Sequence, residues 1–361
     1  MSTQTNLLLK KIINHAVKAG ASRLHFEVGS QPVMRVDQKL ISLEDEAVIS
    51  DEFLAEISKI ILPASEQEIL ASKKSIVTTY TFEGNIRFKV HIFQQKNHLA
   101  MIFTYIPAVI SDPKSIGLSQ QFIDLLDQKT GLIVIAGYHS SGRTTTVLSL
   151  LNYINNTHSK YILTLERPIE YVLTSQKSII EQREIGRDSN SFFSALKFCK
   201  DSDVDVVFLS EITDSLILES IFEIITSGRL VIIVSDADSA ADVLARLVDL
   251  ASEDEADKVR HNLAEHLLGV VVQQLVPRRG GGQITVTEIL INNSAITSLI
   301  KEGRYNQLTS VIQTSHDEGM QSLDQTLLEL VKTGEVEYAK GLEIATDKAS
   351  FQAAAEKFRN K

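Results

Sequence analysis

The amino-acid sequence predicts an α/β protein with two domains, a smaller α+β domain followed by a domain built on a parallel central sheet. The first observation is length, because 361 residues exceed one average domain and suffice to bury two cores. The second is a change of pattern along the chain, from short alternating segments to continuous apolar runs separated by helical segments. Continuous apolar strands between helices are typical of a parallel sheet covered on both faces.

The N-terminal α+β domain is predicted to span residues 1–107. Apolar residues recur at helical spacing over residues 6–19 and Gly20 follows, so an amphipathic helix opens the domain. A second helix is predicted over residues 51–71. Strands are predicted where apolar and polar residues alternate, at 23–28, 33–37, 76–82, 86–93 and 99–106. Residues 108–115 include Pro113 and lack periodicity, which predicts a linker.

The second domain is predicted over residues 116–292. Its apolar strands are predicted at 132–136, 161–165, 204–209 and 230–235. Helices are predicted to alternate with them, at 144–155, 191–199, 214–226 and 239–251. Two added strands, 270–275 and 283–291, flank a turn at 278–282. Residues 293–361 predict a C-terminal helical subdomain, with helices at 295–301, 307–313 and 322–332.

Composition and charge exclude several classes of protein. The formal net charge of -10 repels phosphate backbones, which argues against a sequence-independent nucleic-acid binder. Cys199 is the only cysteine, so no intramolecular disulfide can form and a reducing compartment is expected. The N-terminal residues lack the pattern of a signal peptide, and apolar runs such as 132–136 fall far short of the roughly 20 residues of a membrane span. We therefore expect a cytoplasmic protein without direct membrane insertion.

A phosphate-binding motif follows the predicted strand 132–136. Residues 137–144 read Gly-Tyr-His-Ser-Ser-Gly-Arg-Thr and lead into a helical segment, which is the P-loop spacing with Arg143 in place of lysine. The two glycines let backbone N–H groups face the phosphates, the helix N-terminus attracts them, and Thr144 supplies a hydroxyl for Mg²⁺. An ordinary glycine-containing turn is the alternative interpretation. The residues expected to bind the nucleotide are Gly137, Ser140, Ser141, Gly142, Arg143, Thr144 and Thr145.

Arginine is not equivalent to lysine at this position. Lysine reaches the β- and γ-phosphates as a compact point charge, whereas the guanidinium group of Arg143 is wide, planar and suited to two coplanar acceptors. We expect phosphate binding to survive with altered geometry. Hydrolysis should suffer more, because it depends on the placement of charge against the transferring phosphoryl group.

Two blocks beyond this motif carry a family resemblance. Residues 162–171 (ILTLERPIEY) and 181–188 (EQREIGRD) resemble the type IV pilus retraction ATPases, the PilT-like members of the secretion ATPase superfamily. The likeness covers nearly the whole chain. Residues 21–25 and 35–37 resemble the N-terminal PAS-like domain of that family, and residues 273–275 and 319–324 resemble its C-terminal half. The resemblance implies a RecA-like P-loop domain for the central sheet.

The resemblance also implies a hexamer that holds ATP and Mg²⁺ between the N-terminal domain of one subunit and the C-terminal domain of the next. Carried over by position, Glu166 is the catalytic base that positions water and Glu211 is the Walker B carboxylate, which joins Thr144 at the metal. Arg87 matches a basic position that reaches the nucleotide. The alternative is that Glu166 and Glu211 are solvated acids at strand ends.

The departures from the family pattern fall on the residues of the reaction. Arg167 stands where the family has an aspartate, and Asn97 and Thr104 stand where it has two arginines that reach the nucleotide. A further family arginine falls on Asp201. The histidine box, Leu-His-Thr-Thr in the relatives, falls on residues 235–238, which read Ser-Asp-Ala-Asp here. Loss of arginines that contact the transferring phosphate predicts impaired or absent hydrolysis.

Three functional hypotheses follow. The first is a subunit of a type IV pilus machine for twitching motility that binds nucleotide, hydrolyses it poorly or not at all, and regulates or partners an intact motor. Such a subunit forms a homo-hexamer or a mixed ring with an intact paralogue, and docks on the inner-membrane pilus platform protein at the inner face of the cytoplasmic membrane. The second is a slow retraction ATPase. The third is a nucleotide-free scaffold on the same platform.

Overall fold

The structure is a computed structural model that describes residues 3–37 and 39–359. Residues 1–2 and 360–361, the outer ends of the first and last predicted domains, lie outside the described residues. The chain forms two compact units. The first is Met1–Val109 with Pro168–Tyr171, and the second is Ile110–Arg167 with Val172–Lys361. The predicted linker 108–115 is therefore divided between the two units, and residues beyond 292 share a unit with the central sheet.

The N-terminal unit is built on a six-stranded antiparallel sheet in the order β3-β2-β1-β6-β5-β4. Its elements are α1 (Thr3–Lys18), β1 (Arg23–Glu27), β2 (Val33–Val36), β3 (Lys39–Ser42), α2 (Asp51–Ile61), α3 (Ala64–Lys73), β4 (Ser75–Phe82), a 3₁₀ turn (Glu83–Asn85), β5 (Ile86–Gln95) and β6 (His98–Ile106). Helix α1 buries Leu9, Ile12 and Ile13 in the core of this unit. Each such side chain contributes about 1.5–3 kcal/mol when it is fully buried.

Two elements of this unit differ from the sequence prediction. The predicted helix 51–71 is two helices, because Pro63 has no N–H group and disfavours helical geometry in the residue before it. Helix α2 ends at Ile61, and Leu62 is extended. Strand β3 was not predicted, because its four residues are all exposed at a sheet edge and show no alternation of burial.

The second unit contains a seven-stranded sheet in the order β13-β12-β7-β11-β10-β8-β9. Only the β12–β13 pair is antiparallel among the pairings of this sheet. Its elements are α4 (Gln120–Asp124), a 3₁₀ turn (Leu125–Asp127), β7 (Gly131–Ala136), α5 (Arg143–Thr157), β8 (Tyr161–Glu166), β9 (Ile179–Glu184), α6 (Phe192–Lys200), β10 (Val206–Leu209), α7 (Ser215–Thr226), β11 (Leu230–Ser235), α8 (Ala240–Asp249), α9 (Ala256–His266), β12 (Leu267–Pro277) and β13 (Gln283–Ile291).

Helices cover both faces of this sheet, and strand β7 is buried throughout. Its residues alternate between two apolar cores. Leu132 and Val134 pack in the core that includes helices α6 to α9, whereas Ile133 and Ile135 pack in the core that includes α4 and α5. This arrangement confirms the predicted α/β fold with a central, largely parallel sheet.

Strand β9 and helix α9 of the second unit were not predicted. Strand β9 carries four polar residues out of six and forms the sheet edge, so it lacks the apolar run of a central strand. Helix α9 is mostly polar, and it buries only Val259, Leu263 and Ala264.

The C-terminal helices follow β13 in the same unit. They are α10 (Ser294–Lys301), a 3₁₀ turn (Tyr305–Gln307), α11 (Leu308–Thr314), a 3₁₀ turn (His316–Glu318), α12 (Leu323–Lys332), α13 (Tyr338–Ile344) and α14 (Lys348–Arg359). A small apolar cluster joins Leu327, Val336 and Phe351 of this region to Val276 and Val286 of the β12–β13 hairpin. In the described part of the chain, no helix combines the length and apolar character that a bilayer crossing requires.

Candidate functional site

The candidate site lies at the carboxyl edge of the seven-stranded sheet. Parallel pairing places Ser235, the last residue of β11, beside Ala136, the last residue of β7. Strand β10 pairs with β11 on one side and with β8 on the other. The segments that follow these four strands therefore leave the sheet along one edge, where open α/β sheets hold their ligands. Of the predicted acids, Glu166 is the last residue of β8 and Glu211 lies two residues after β10, both along this edge.

The turn between β7 and α5, residues 137–142, is named the glycine loop here. Gly137 has φ +145°, and a Cβ atom there would lie 2.3 Å from the Gln273 backbone oxygen and 2.4 Å from Ser141 Oγ. Only glycine fits this position. Ser140 and Gly142 adopt left-handed backbone angles, with φ of +67° and +91°. Left-handed residues within a tight turn allow successive backbone N–H groups to face a common point, which is the geometry of an anion-binding nest.

Helix α5 begins directly after the glycine loop. Its N-cap residue is Gly142, which supplies no side-chain acceptor for the first amides of the helix. Thr144 and Thr145 lie in the first turn and are half-buried. The helix N-terminus carries a partial positive charge, and its amides lack partners within the helix. The loop backbone and the helix start therefore fit the phosphates of a nucleotide.

Gln273 of strand β12 holds the glycine loop by a hydrogen bond. This side chain is 2% exposed, and its Nε2 donates a hydrogen bond of 2.7 Å to the Ser141 backbone oxygen. Gln273 Oε1 and Ser141 Oγ are buried without a hydrogen-bond partner among the described residues. Gln273 is not among the predicted site residues and lies only within the resembling block 273–275. The sequence does contain a sign of this role, because Gln273 is a polar residue directly after the apolar run of β12. A polar side chain buried in a core strand is usually hydrogen-bonded to another part of the protein.

Arg143, the residue at the lysine position of the motif, is held by the segment after β11. Its Nη1 donates 2.8 Å to the Ser235 backbone oxygen and lies 2.5 Å from Asp236 Oδ1. The Arg143 side chain is 16% exposed, whereas that of Asp236 is 72% exposed. Two departures from the motif patterns, the arginine and the aspartate, are therefore partners of one ion pair.

A second contact joins the glycine loop to the same segment. The Tyr138 hydroxyl donates a hydrogen bond of 2.6 Å to Asp238 Oδ2. This hydrogen bond and the carboxylate charge raise the pKa of Tyr138 above its ordinary value. Residues 235–238, which carry Asp236 and Asp238, are named the acidic segment here.

Glu166 ends strand β8 and is 5% exposed. Two neutral donors hold its Oε1 atom, the Thr164 hydroxyl at 2.6 Å and Gln182 Nε2 at 3.0 Å. Donors of this kind fix the orientation of a buried carboxylate. Thr164 and Gln182 are not among the predicted site residues, although they lie within the resembling blocks 162–171 and 181–188.

Glu211 follows strand β10 and is paired with Arg167, the residue that stands where the family has an aspartate. Glu211 Oε1 lies 3.3 Å from Arg167 Nη1, within ion-pair range but without hydrogen-bond alignment. The Arg167 guanidinium group also lies over the Phe192 ring, 5.1 Å from its centroid. Both charged side chains are partly exposed, and pairs of this kind stabilise a protein only weakly.

The predicted nucleotide contact Arg87 belongs to the N-terminal unit and is engaged there. Its Nε and Nη2 donate to the backbone oxygens of Glu170 and Ile169 at 2.5 and 2.9 Å, and Thr79 and Thr81 also accept from it. The structure thus assigns Arg87 to a network within its own unit. Its contact with a nucleotide stays a prediction.

The two positions that carry arginine in the family have local explanations. Lys96 and Asn97 form the two-residue turn between β5 and β6, and both have positive φ values. Asparagine tolerates this conformation better than arginine. Thr104 lies on β6 between Arg23 of β1 and Lys89 of β5, so an arginine there would stand beside two cations.

Known proteins resemble this chain in both sequence and structure. The family model described as "Type II/IV secretion system protein" matches residues 111–280. The type IV pilus retraction ATPase PilT of Pseudomonas aeruginosa is 32% identical over 328 residues, which cover 90% of this chain and 94% of that protein. The type IV pilus ATPase PilU of the same organism is 28% identical over 334 residues, 92% of this chain and 87% of that one.

A solved structure has the same fold over nearly the whole chain. The crystal structure of the pilus retraction motor PilT with bound ADP superposes with a TM-score of 0.82 and 32% sequence identity. The superposition covers 95% of this chain and 98% of that chain.

Proposed function

This chain belongs to the PilT-like family of type IV pilus retraction ATPases, and from that premise we propose that it binds a nucleotide at the glycine loop with impaired or absent hydrolysis. The main support for the proposal comes from Arg143, which donates a hydrogen bond to the Ser235 backbone oxygen and forms an ion pair with Asp236. The backbone features of a phosphate site are present, but its one cationic side chain is bound within the protein.

Support for nucleotide binding comes from the backbone. Gly137 leaves the space that a Cβ atom would fill, and Gly142 starts helix α5 without a capping side chain. Backbone amides and a helix dipole attract phosphate independently of the lysine. ATP is the nucleotide that the family implies, and its phosphates would lie against residues 137–145.

Support for poor hydrolysis comes from three pairings. Arg143 is bound to Asp236, Arg167 lies against Glu211, and Tyr138 is bound to Asp238. Catalysis of phosphoryl transfer depends on cations directed at the transferring group. A guanidinium group that already holds a carboxylate contributes little to that stabilisation.

Magnesium would be held by the Thr144 hydroxyl and by Glu211, and when bound it would neutralise charge on the phosphates. Both oxygen donors are of the type that Mg²⁺ prefers. Glu211, however, lies 3.3 Å from the Arg167 guanidinium group, which competes with any cation for the carboxylate. Glu166, oriented by Thr164 and Gln182, would position a water molecule.

The cellular role proposed here follows from the family. The chain acts in a type IV pilus machine as a cytoplasmic subunit of a homo-hexameric ring, or of a mixed ring with an intact paralogue. It docks on the inner-membrane platform protein and regulates or partners the working motor. The family fold extends over 95% of the chain, which suits assembly into a ring. The Arg143–Asp236 ion pair, by contrast, suits ATP hydrolysis poorly.

The test measures binding and turnover on the same protein. Calorimetry with MgATP should give saturable binding, and phosphate release should match that of the Glu166→Gln variant, because neither protein stabilises the transferring phosphate. Release well above the Glu166→Gln level would favour the slow ATPase instead. An absence of binding at millimolar nucleotide would favour the nucleotide-free scaffold.

A further inference from the structure

Three contacts bind the acidic segment to the glycine loop and to Arg143, the first residue of helix α5. Arg143 bonds the Ser235 backbone oxygen at 2.8 Å and Asp236 at 2.5 Å, and Tyr138 bonds Asp238 at 2.6 Å. The glycine loop and the start of helix α5 therefore each have a carboxylate partner, and both carboxylates come from the same four residues.

The acidic segment is held in this position by the sheet. Ser235 is paired with Ala136 in the β7–β11 register, so the segment leaves the sheet beside the start of the glycine loop. Ala237, between the two aspartates, is fully buried and packs in the core. The two acids thus flank a residue that anchors the segment.

The far end of the acidic segment is also secured. Ser239 caps helix α8 by accepting from Asp242 N, and the buried Glu288 carboxylate accepts from Ala240 N at 2.7 Å. The segment is consequently tied down on both sides, by β11 before it and by helix α8 after it. The backbone that carries Asp236 and Asp238 is therefore fixed on both sides of the acidic segment.

The charges at the loop favour short phosphate chains. In a P-loop, backbone amides cradle the α- and β-phosphates, whereas the basic side chain reaches the β- and γ-phosphates. Here the amide cradle is retained, but Arg143 is neutralised by Asp236, and Asp238 adds a second negative charge. A third phosphate brings additional negative charge toward these acids. At a separation of about 6 Å and an effective dielectric constant of about 40, one such repulsion is worth roughly tenfold in affinity.

We propose that the glycine loop prefers a nucleoside diphosphate to a nucleoside triphosphate, and that Asp236 is the residue that sets this preference. The inference rests on the nucleotide binding proposed above and adds the class of ligand that the site retains. The subunit would then keep a nucleoside diphosphate bound, whether or not the adjacent subunits of the ring have bound a triphosphate.

The test is a ratio of dissociation constants, which general damage to the site would leave unchanged. Calorimetry with MgADP and with the non-hydrolysable Mg-AMP-PNP is performed on the wild-type protein and on Asp236→Asn. The wild type should bind MgADP at least about tenfold more tightly, and Asp236→Asn should reduce that preference by about tenfold, because it removes one repulsive charge and releases Arg143. Asp238→Asn should reduce it by a smaller factor.

The matched control is Asp254→Asn, which removes the same charge from an exposed residue away from the loop. It should leave the ratio at the wild-type value. Equal wild-type affinities for the two ligands would overturn the inference and leave nucleotide binding intact, and so would a ratio that Asp236→Asn does not change. If neither the wild type nor Asp236→Asn binds either ligand, the proposed function itself is wrong.

Discussion

At the scale of single residues, the structure pairs each of two substituted arginines with a carboxylate. Arg143 and Asp236 depart from the motif patterns at distant positions in the chain, yet they are 2.5 Å apart. Arg167, another departure, lies 3.3 Å from Glu211, which is the acid expected at its position. A charge introduced beside a phosphate site is costly unless a partner offsets it. Each introduced arginine therefore has a carboxylate partner, and both pairings reduce the charge available to a ligand.

The Tyr138–Asp238 hydrogen bond can be tested by titration. Because Asp238 accepts the phenolic proton and adds a negative charge, the pKa of Tyr138 is raised and the phenol stays protonated to higher pH than a free tyrosine. Asp238→Asn should lower the pKa of Tyr138 toward its ordinary value. The measurement is the pH dependence of the ring ¹³C resonance, assigned with Tyr138→Phe.

Asp254→Asn serves again as the control in this titration and should leave that resonance unaffected. An unchanged Tyr138 titration in Asp238→Asn would show that the loop is not bound to the acidic segment in solution.

These pairings could not be predicted from the sequence. The motif spacing located Arg143, and the family pattern located Asp236, Arg167 and Glu211. Whether two of these side chains meet depends on which strands are neighbours, because β11 carries Asp236 to the loop only by pairing with β7. Strand order in a parallel sheet is a long-range property that local periodicity does not encode.

At the scale of elements, strand β12 supports the site although it contributes no predicted ligand. Gln273 bonds the Ser141 backbone oxygen, and the Gln273 backbone occupies the space beside Gly137. The strand thus holds the glycine loop at both of its ends. A loop with left-handed residues at Ser140 and Gly142 needs such external contacts to stay in one conformation.

Removal of the Gln273 side chain should loosen the glycine loop. Gln273→Ala leaves the Ser141 carbonyl without its donor, so we expect the free energy of unfolding to fall by about 1–3 kcal/mol. Nucleotide affinity should fall with it, because the loop loses its fixed geometry. Denaturant unfolding and MgADP calorimetry check the two effects.

Gln274→Ala is the matched control, since Gln274 is the exposed neighbour on the same strand. Its stability and affinity should remain at wild-type values. A Gln273→Ala protein with unchanged MgADP affinity would contradict the supporting role of β12.

The elements that could be predicted were those with strong periodicity. Strands β7, β8 and β11 were predicted because their apolar runs are buried on both faces. Strands β3 and β9 lie at sheet edges and carry exposed or polar residues, so only a neighbouring strand defines them. Pro63 marks the break between α2 and α3 in the sequence itself. One helix was nevertheless predicted over residues 51–71, because the apolar pattern continues on both sides of Pro63.

At the scale of the whole molecule, the contrast is between a retained fold and an altered site. The chain superposes on the PilT crystal structure over 95% of its length, while Asp236, Asp238 and Arg167 change the charges around the sheet edge. Fold and chemistry are separable properties, because a scaffold places the backbone and single side chains supply the charges. This contrast is what favours assembly as the role of the protein.

Assembly itself can be measured. If the 40.0 kDa chain forms a closed ring of six like its family, sedimentation with MgADP should give a species of about 240 kDa. Nucleotide should favour the ring, since ligand bound at a subunit interface stabilises the assembled state. A species of monomer mass at all protein concentrations, with and without MgADP, would exclude the homo-hexamer and leave the mixed ring to be tested with an intact paralogue.

On the function proposed above, a few charged residues suppress hydrolysis in an otherwise intact fold, and phosphate release by the double variant Arg143→Lys/Asp236→His tests this. This variant restores the motif cation and the imidazole of the histidine box together. We predict turnover at least about tenfold above the wild type, because a freed cation directed at the transferring phosphate is worth several kcal/mol. A wild-type protein that already hydrolyses ATP well above Glu166→Gln, with no gain in the double variant, would contradict the claim.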